Sequence, residues 1–255
     1  MLEIIVGFLV GFGAIFWVMY RSDVVGLLFD INAFAIVFGG TIGATIITYP
    51  FNVLGNCVKS LVTIFFGKWK YKPADIIKTI VGLAEKAKRE GIFSINDELS
   101  HLDKFLQDGL KMILDGLDAT LIRENLQKEI LFTRKRHEQI HDVFRQMGTY
   151  TPIFGLLGTL LGVVQVLRNI TDVAGLGSSM AMAVSTTFYG IFGANFIFLP
   201  MSGKLESRSQ EELLIKEVMI EGIISIQQGD IPLITHRKLE AFISSKQREK
   251  DAKQQ

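Results

Sequence analysis

The chain of 255 residues has one cysteine, Cys57, five prolines and two tryptophans, and long stretches of it carry no charge. A lone cysteine forms no internal disulfide and cannot build a thiolate zinc site, which excludes a secreted disulfide scaffold and a structural zinc domain. Net charge is nearly missing too. Its 27 basic and 26 acidic side chains leave +1, too little for a field that gathers nucleic acid. The sequence has no β-rich run, no low-complexity tract and no repeat of fixed period. The most telling gap is local: stretches 2–20, 31–50, 149–167 and 179–202 hold one charge, Glu3, in 82 residues, while the other 173 hold 52. With mean hydropathy at +0.33, this segregation excludes a single water-soluble domain and a disordered chain alike.

Each uncharged stretch is long enough to cross a hydrocarbon core as a helix, which takes about 20 residues. The expected fold is an all-α integral membrane protein with four transmembrane helices. A helical cytoplasmic domain lies between spans two and three, and a helical tail follows span four. The expected divisions are 1–50 for spans one and two, 51–148 for an interfacial helix and the cytoplasmic domain, 149–202 for spans three and four, and 203–255 for the tail. Of 27 Lys and Arg, 16 lie in 51–148 and nine in the tail, which puts both segments and both termini in the cytoplasm. Lys59, Lys68, Lys70 and Lys72 on one side, and Arg134, Lys135, Arg136 and Arg145 on the other, crowd the membrane ends. The first span lacks a basic leader and is read as retained rather than cleaved.

The polar segments read as amphipathic helices. Ile76, Ile77, Ile80, Val81 and Ala84 recur at helical spacing, as do Leu102, Phe105, Leu106, Leu110 and Ile113. Leu205, Leu213, Ile215, Met219 and Ile223 repeat the pattern in the tail, and a charged helix over 119–147 runs on into span three. The apolar stretch 51–67, closed by Lys68 and Trp69, suits a helix lying in the interface.

Inside the spans, Gly39/Gly43 and Gly158/Gly162 are small-residue pairs that let helices approach, within the chain or between chains. Pro152 and Pro200 sit near the ends of spans three and four, where a proline frees a carbonyl and invites a kink. Hydroxyls gather in the same two spans: Thr149, Thr151 and Thr159, then Ser185, Thr186 and Thr187. Single membrane hydroxyls commonly bond back to the preceding turn, whereas a cluster on two adjacent spans also suits the ligands of an ion. No span carries a carboxylate away from its end, although cation pathways normally have one. If this chain moves a cation, a partner brings the carboxylate.

Several long motifs, in order, resemble the A subunit of the bacterial flagellar motor stator, the MotA/PomA family. They are the run Phe38–Thr45 (FGGTIGAT), TPIFGLLGTLLGVV from Thr151, AMAVSTTFYGIFGANFIFLP up to Pro200, and EGIISIQQGDIP over 221–232. The resemblance implies a ring of five A subunits around a dimer of a MotB/PomB-like B subunit, whose membrane helix supplies the channel Asp. Ion flow would turn the ring, and its cytoplasmic domain would drive the rotor protein FliG, in the service of motility and chemotaxis. It implies location in the bacterial inner membrane among lipids, no nucleic acid, and no cofactor beyond the transported Na+ or H+. By position, Pro152 and Pro200 match the family's gating prolines. The rotor-facing stretch corresponds to Ala87–Asn96, with Lys88 and Arg89 as its basic pair. Asn96 stands where the family has an acid, so that role passes to Asp97 or Glu98. Leu233 follows Pro232 where the family often has arginine. Thr159 and Thr187, with Thr186 beside them, match the pattern of sodium-driven members. A hard cation shedding water needs several oxygens, so sodium is favoured over the proton.

Two other readings compete. An ExbB/TolQ-like proton-channel subunit would show three spans, with its large cytoplasmic segment after the first. His137-Glu138-Gln139-Ile140-His141 is also a literal HExxH, the helical zinc site of metalloproteases, although Arg134, Lys135 and Arg136 crowd it with positive charge.

Overall fold

The computed structural model describes residues 2–66, 73–168, 171 and 173–243, and among them every regular element is helical. The first elements are α1 (Leu2–Arg21), α2 (Val25–Leu28), α3 (Ile31–Phe34), a π-helical segment at Ala35–Gly39, α4 (Gly40–Thr48) and α5 (Phe51–Phe66). Then come α6 (Pro73–Glu90), a 3-10 helix at Ile92–His101, α7 (Lys104–Leu114) and the 50-residue α8 (Ala119–Arg168). The chain closes with α9 (Val173–Phe192), a second π segment at Gly193–Phe198, α10 (Leu199–Gln227) and α11 (Pro232–Glu240). The expected basic residues Lys68, Lys70 and Lys72, with Trp69, lie outside the described residues.

Local chemistry sets the boundaries. Asp30 caps α3 by accepting from the Asn32 and Ala33 amides at 2.7 and 3.2 Å. Asp118 does the same for α8, accepting from Thr120 and Leu121 at 2.8 and 2.9 Å. Pro50 holds Tyr49 extended and ends α4. Gly91, at φ 90°, ends α6 in a conformation that a side chain would strain.

The chain forms two compact units. The first comprises Met1–Gly67 and Glu138–Glu206. Three of its helices are long and apolar enough to cross a membrane, at Ile31–Thr48, within Ala119–Arg168 and within Gly175–Gln227, and Val6–Arg21 is a shorter apolar helix. The charged helix and the third apolar stretch are one helix as expected, α8, which runs through Pro152. One expected break is absent. The fourth stretch, expected to end at residue 202, continues through α10 to Gln227, with no further proline between Pro200 and Gln227. Pro200 has no amide to give Phe196 and would crowd its carbonyl. The π segment just before it widens the turn, and the Leu199 amide reaches Ala194 O instead.

Helices α8 and α9 meet backbone to backbone. A methyl added at Gly155 would stand 2.9 Å from Thr186 O and 3.1 Å from the Gly190 α-carbon, and one at Gly162 would stand 2.6 Å from the Ala183 β-carbon. The Gly158/Gly162 pair therefore serves packing within the chain. Gly39 and Gly43 face open space, with nothing within 4 Å of an added methyl. Cys57 of α5 is buried with Val143, Phe144 and Phe198. Leu205, expected among the tail's core positions, packs on this cluster instead.

The second unit comprises Lys68–His137 and Ser207–Gln255. Its core joins Ile76, Ile77 and Ile80 of α6, Leu106 and Leu110 of α7, and Ile122 and Leu126 of α8 to Met219 and Ile223 of α10. Those of α6, α7 and α10 are positions that the helical spacing picks out, whereas Ile122 and Leu126 are not among them. Gly222 lets α10 lie on Ile80, whose side chain would meet an added methyl at 2.5 Å.

Candidate functional site

The α8–α9 crossing in the first unit places threonine hydroxyls together. Thr159 Oγ1 lies 2.5 Å from Thr187 Oγ1, and also 3.0 Å from Gly155 O and 3.2 Å from Ala183 O. Thr187 donates to Ala183 O at 3.3 Å and Thr186 to the same carbonyl at 2.9 Å. Each hydroxyl has one proton, so these contacts are shared, and oxygen lone pairs remain in excess at the cluster. Thr159 and Thr187 line a cavity of about 420 Å³ whose other walls include Ile15, Val184, Phe188, Phe192 and Phe196.

Among the described residues, no titratable side chain lines that cavity. Its walls are almost wholly apolar, and its polar atoms are the two hydroxyls and the carbonyl beside them, hard oxygen donors of the kind a small cation takes. Proton transfer there would need a group from another chain. Thr186 stands apart from the other two. It is fully buried, and its side chain is wedged against Gly158. Pro152 lies on the same helix as Thr159, two turns earlier, and Pro200 follows the second π segment.

In the second unit the four expected rotor-facing residues divide. Lys88 donates to Gly229 O at 2.8 Å, where α10 ends. Glu98 accepts from Lys86 at 2.7 Å, and this bond holds its carboxyl below the usual range while raising the Lys86 ammonium. Arg89 and Asp97 are exposed. Near Lys88, Asp230 accepts from Lys238 at 2.7 Å and from Ser225 at 2.6 Å, and these bonds, Lys238 first, pull its carboxyl down.

The residues of the literal HExxH do other things. His137 Nδ1 pairs with Ser209 Oγ at 2.9 Å, while His141 is buried in the first unit. Among the described residues no group of three or more His, Cys, Asp or Glu side chains could hold a metal ion.

Sequence reasoning missed two features. Thr41 and Thr45 are buried on α4; their i,i+4 spacing was the available signal. Phe93 is 74% exposed between the charged positions of the 88–98 stretch, and only its place in a polar segment hinted at that.

A helical unit with membrane-length apolar helices and a threonine pair on the wall of an apolar cavity, together with a second, charged helical unit, defines a multi-span membrane protein. Residues 97–218 match the model of the MotA/TolQ/ExbB proton channel family. Motility protein A of Borreliella burgdorferi is 38% identical over 246 residues, covering 96% of this chain and 94% of the relative. Chemotaxis protein PomA of Vibrio alginolyticus is 31% identical, covering 97% of each. A solved structure of the flagellar MotAB stator complex from Bacillus subtilis matches with TM-score 0.83 and 30% identity, covering 89% of each chain. The chain belongs to the MotA/PomA family of motility A subunits. Membership of a channel family sets the metalloprotease reading aside.

Proposed function

We propose that this chain is the A subunit of a flagellar stator, a torque-generating ion channel of the bacterial inner membrane. It works with a dimer of a MotB/PomB-like B subunit, which brings the channel Asp. Four spans, α1 among them, cross the membrane, with both termini and the second unit in the cytoplasm. Five copies ring the B dimer, and ion flow turns that ring against FliG. Arg89 and Asp97 present charge to the rotor, Pro152 and Pro200 flex during the cycle, and no cofactor takes part. One elementary charge crossing 100 mV releases about 2.3 kcal/mol, which is ample to bias such a step.

The observation that carries this reading is the Thr159–Thr187 oxygen cluster in a cavity with no titratable lining among the described residues. It supports sodium as the coupling ion, with hydroxyls, the Ala183 carbonyl and the partner's Asp replacing water. The family's description as proton channels names the competing ion.

The test is single-motor speed against sodium concentration at fixed pH and ionic strength, with the chain and its B partner expressed in a motile host lacking stators. Speed that rises and saturates with sodium is the expected result. Thr159→Ala and Thr187→Ala should each raise the half-saturating sodium about tenfold, the equivalent of about 1.4 kcal/mol, without lowering membrane levels. Speed indifferent to sodium would assign the proton and leave those threonines as packing groups. No rotation with both chains in the membrane would favour the ExbB/TolQ-like reading.

A further inference from the structure

The irregular points of the first unit's helices converge on Thr151. Thr41, one residue into α4, donates to Val37 O at 2.6 Å, inside the first π segment. Gly193 opens the second π segment, and a methyl added there would stand 2.9 Å from the Thr151 methyl and 3.2 Å from the Phe38 ring. Phe38 and Phe198, one from each π segment, have ring centroids 6.4 Å apart. Thr151 itself precedes Pro152. The amide that proline lacks would have bonded Gly148 O, and Gly148 packs on Leu199, next to Pro200. Single-turn π segments recur at functional sites because their spare residue lets a helix shift register. Here two of them and a helix-interior proline share one layer.

The hydroxyls in that layer are not fully committed. Thr41 and Thr151 are both fully buried, with oxygens 3.4 Å apart. Each directs its single proton back along its own helix, Thr41 to Val37 O and Thr151 to Met147 O at 2.5 Å. The Thr41 hydroxyl faces Thr151 Oγ1 as a donor, but 3.4 Å is too long for a strong O–H···O bond. A rotation about one side-chain bond would turn the Thr41 proton from Val37 O to Thr151 Oγ1. That exchanges a bond back to the first π segment for one between α4 and α8.

We infer that the Thr41 hydroxyl is a two-position latch with Thr151 as its keeper, both acting as positioning residues. In the state described it closes on Val37 O. In the second state of the drive cycle it donates to Thr151, holding α8 to α4 while the helix bends at Pro152. This inference rests on the stator reading above, and its test separates the two. Thr151→Val and Thr41→Val keep the side-chain shape and remove the hydroxyl, while Thr151→Ser keeps the hydroxyl. The full chain with its B partner is measured for amide exchange over residues 35–41 and 193–199, and for motor speed at near-zero load and at stall.

A latch that stabilises the second state predicts that Thr151→Val slows exchange in both segments about threefold, the worth of one net hydrogen bond. Near-zero-load speed falls by a similar factor and stall torque is unchanged. Thr151→Ser restores both readouts, and the double variant Thr41→Val/Thr151→Val is no worse than either single. Faster exchange in Thr151→Val would make the hydroxyl a structural brace and overturn the latch. Wild-type exchange in Thr151→Val would overturn it too, as would effects of the two single variants that multiply. If the unmodified chain turns no motor, the stator reading falls while exchange still decides the latch.

Discussion

Lys88 and Arg89 are adjacent in sequence and alike in charge, yet they have different work. Lys88 fastens the end of α6 to the carbonyl of Gly229, a residue at φ 73° where α10 stops. Arg89 is exposed. Lys88→Glu should cost about 1 kcal/mol of stability through the lost charge-assisted bond and the new charge near Asp230. Arg89→Glu should change stability by less than about 0.5 kcal/mol. Denaturant melts of the solubilised protein beside swimming assays decide it, since motility lost without a stability change marks the residue that touches the rotor.

Asp230 makes the matching acidic case. Its carboxyl is held low in the folded chain by Lys238 and then Ser225, so its contribution is complete above the ordinary carboxylate range near 4. That contribution disappears as pH falls through the lower folded-state value. Asp230→Asn should therefore cost about 1 kcal/mol at pH 7. The deficit should shrink in melts carried out toward pH 3, and a deficit independent of pH would assign the loss to the Ser225 bond alone.

Among the helices, glycine spacing carries two different meanings. Gly155 lies against the backbone of Thr186 and Gly190, whereas Gly39 faces open space. Gly155→Ala should destabilise the isolated chain by about 1–3 kcal/mol, because backbone cannot move aside as a side-chain tip can. Gly39→Ala should leave that melt unchanged and appear, if anywhere, in the size of the assembled complex. Thermal melts and the mass of the purified complex read both.

The sequence motif does not distinguish these two pairs, because small residues four apart announce close approach without naming the partner. Amphipathic spacing was more informative: Ile76, Ile80, Leu106 and Leu110 enter the core of the second unit as their periodicity requires. The π segments could not be read in advance. One residue of extra winding leaves the apolar pattern of an already apolar helix unchanged. Long-range bonds were equally hidden, since nothing near Lys88 points to a carbonyl 141 residues away. The continuity of α8 through Pro152 was expected, and that of α10 beyond residue 202 was not.

Taken together, the chain keeps its chemistry in two separate places. The threonine cluster lies in the first unit, which holds 12 of the 53 charged side chains, and most of the ion pairs lie in the second. Oxygen ligands work best where few mobile charges compete, and exposed ion pairs contribute recognition more than stability. This division makes each half open to change without touching the other, as the substitutions proposed above require.

Cys57 gives that plan a practical use. It is 4% exposed, and burial pushes its thiol up to about 11. At neutral pH burial therefore leaves it as the unreactive thiol. It is also the sole sulfhydryl of the chain. A dye-bearing maleimide will therefore pass over the native protein and mark whichever surface position is given a cysteine. Fluorescent reporters can be placed on either unit one at a time, with the natural cysteine left where it is.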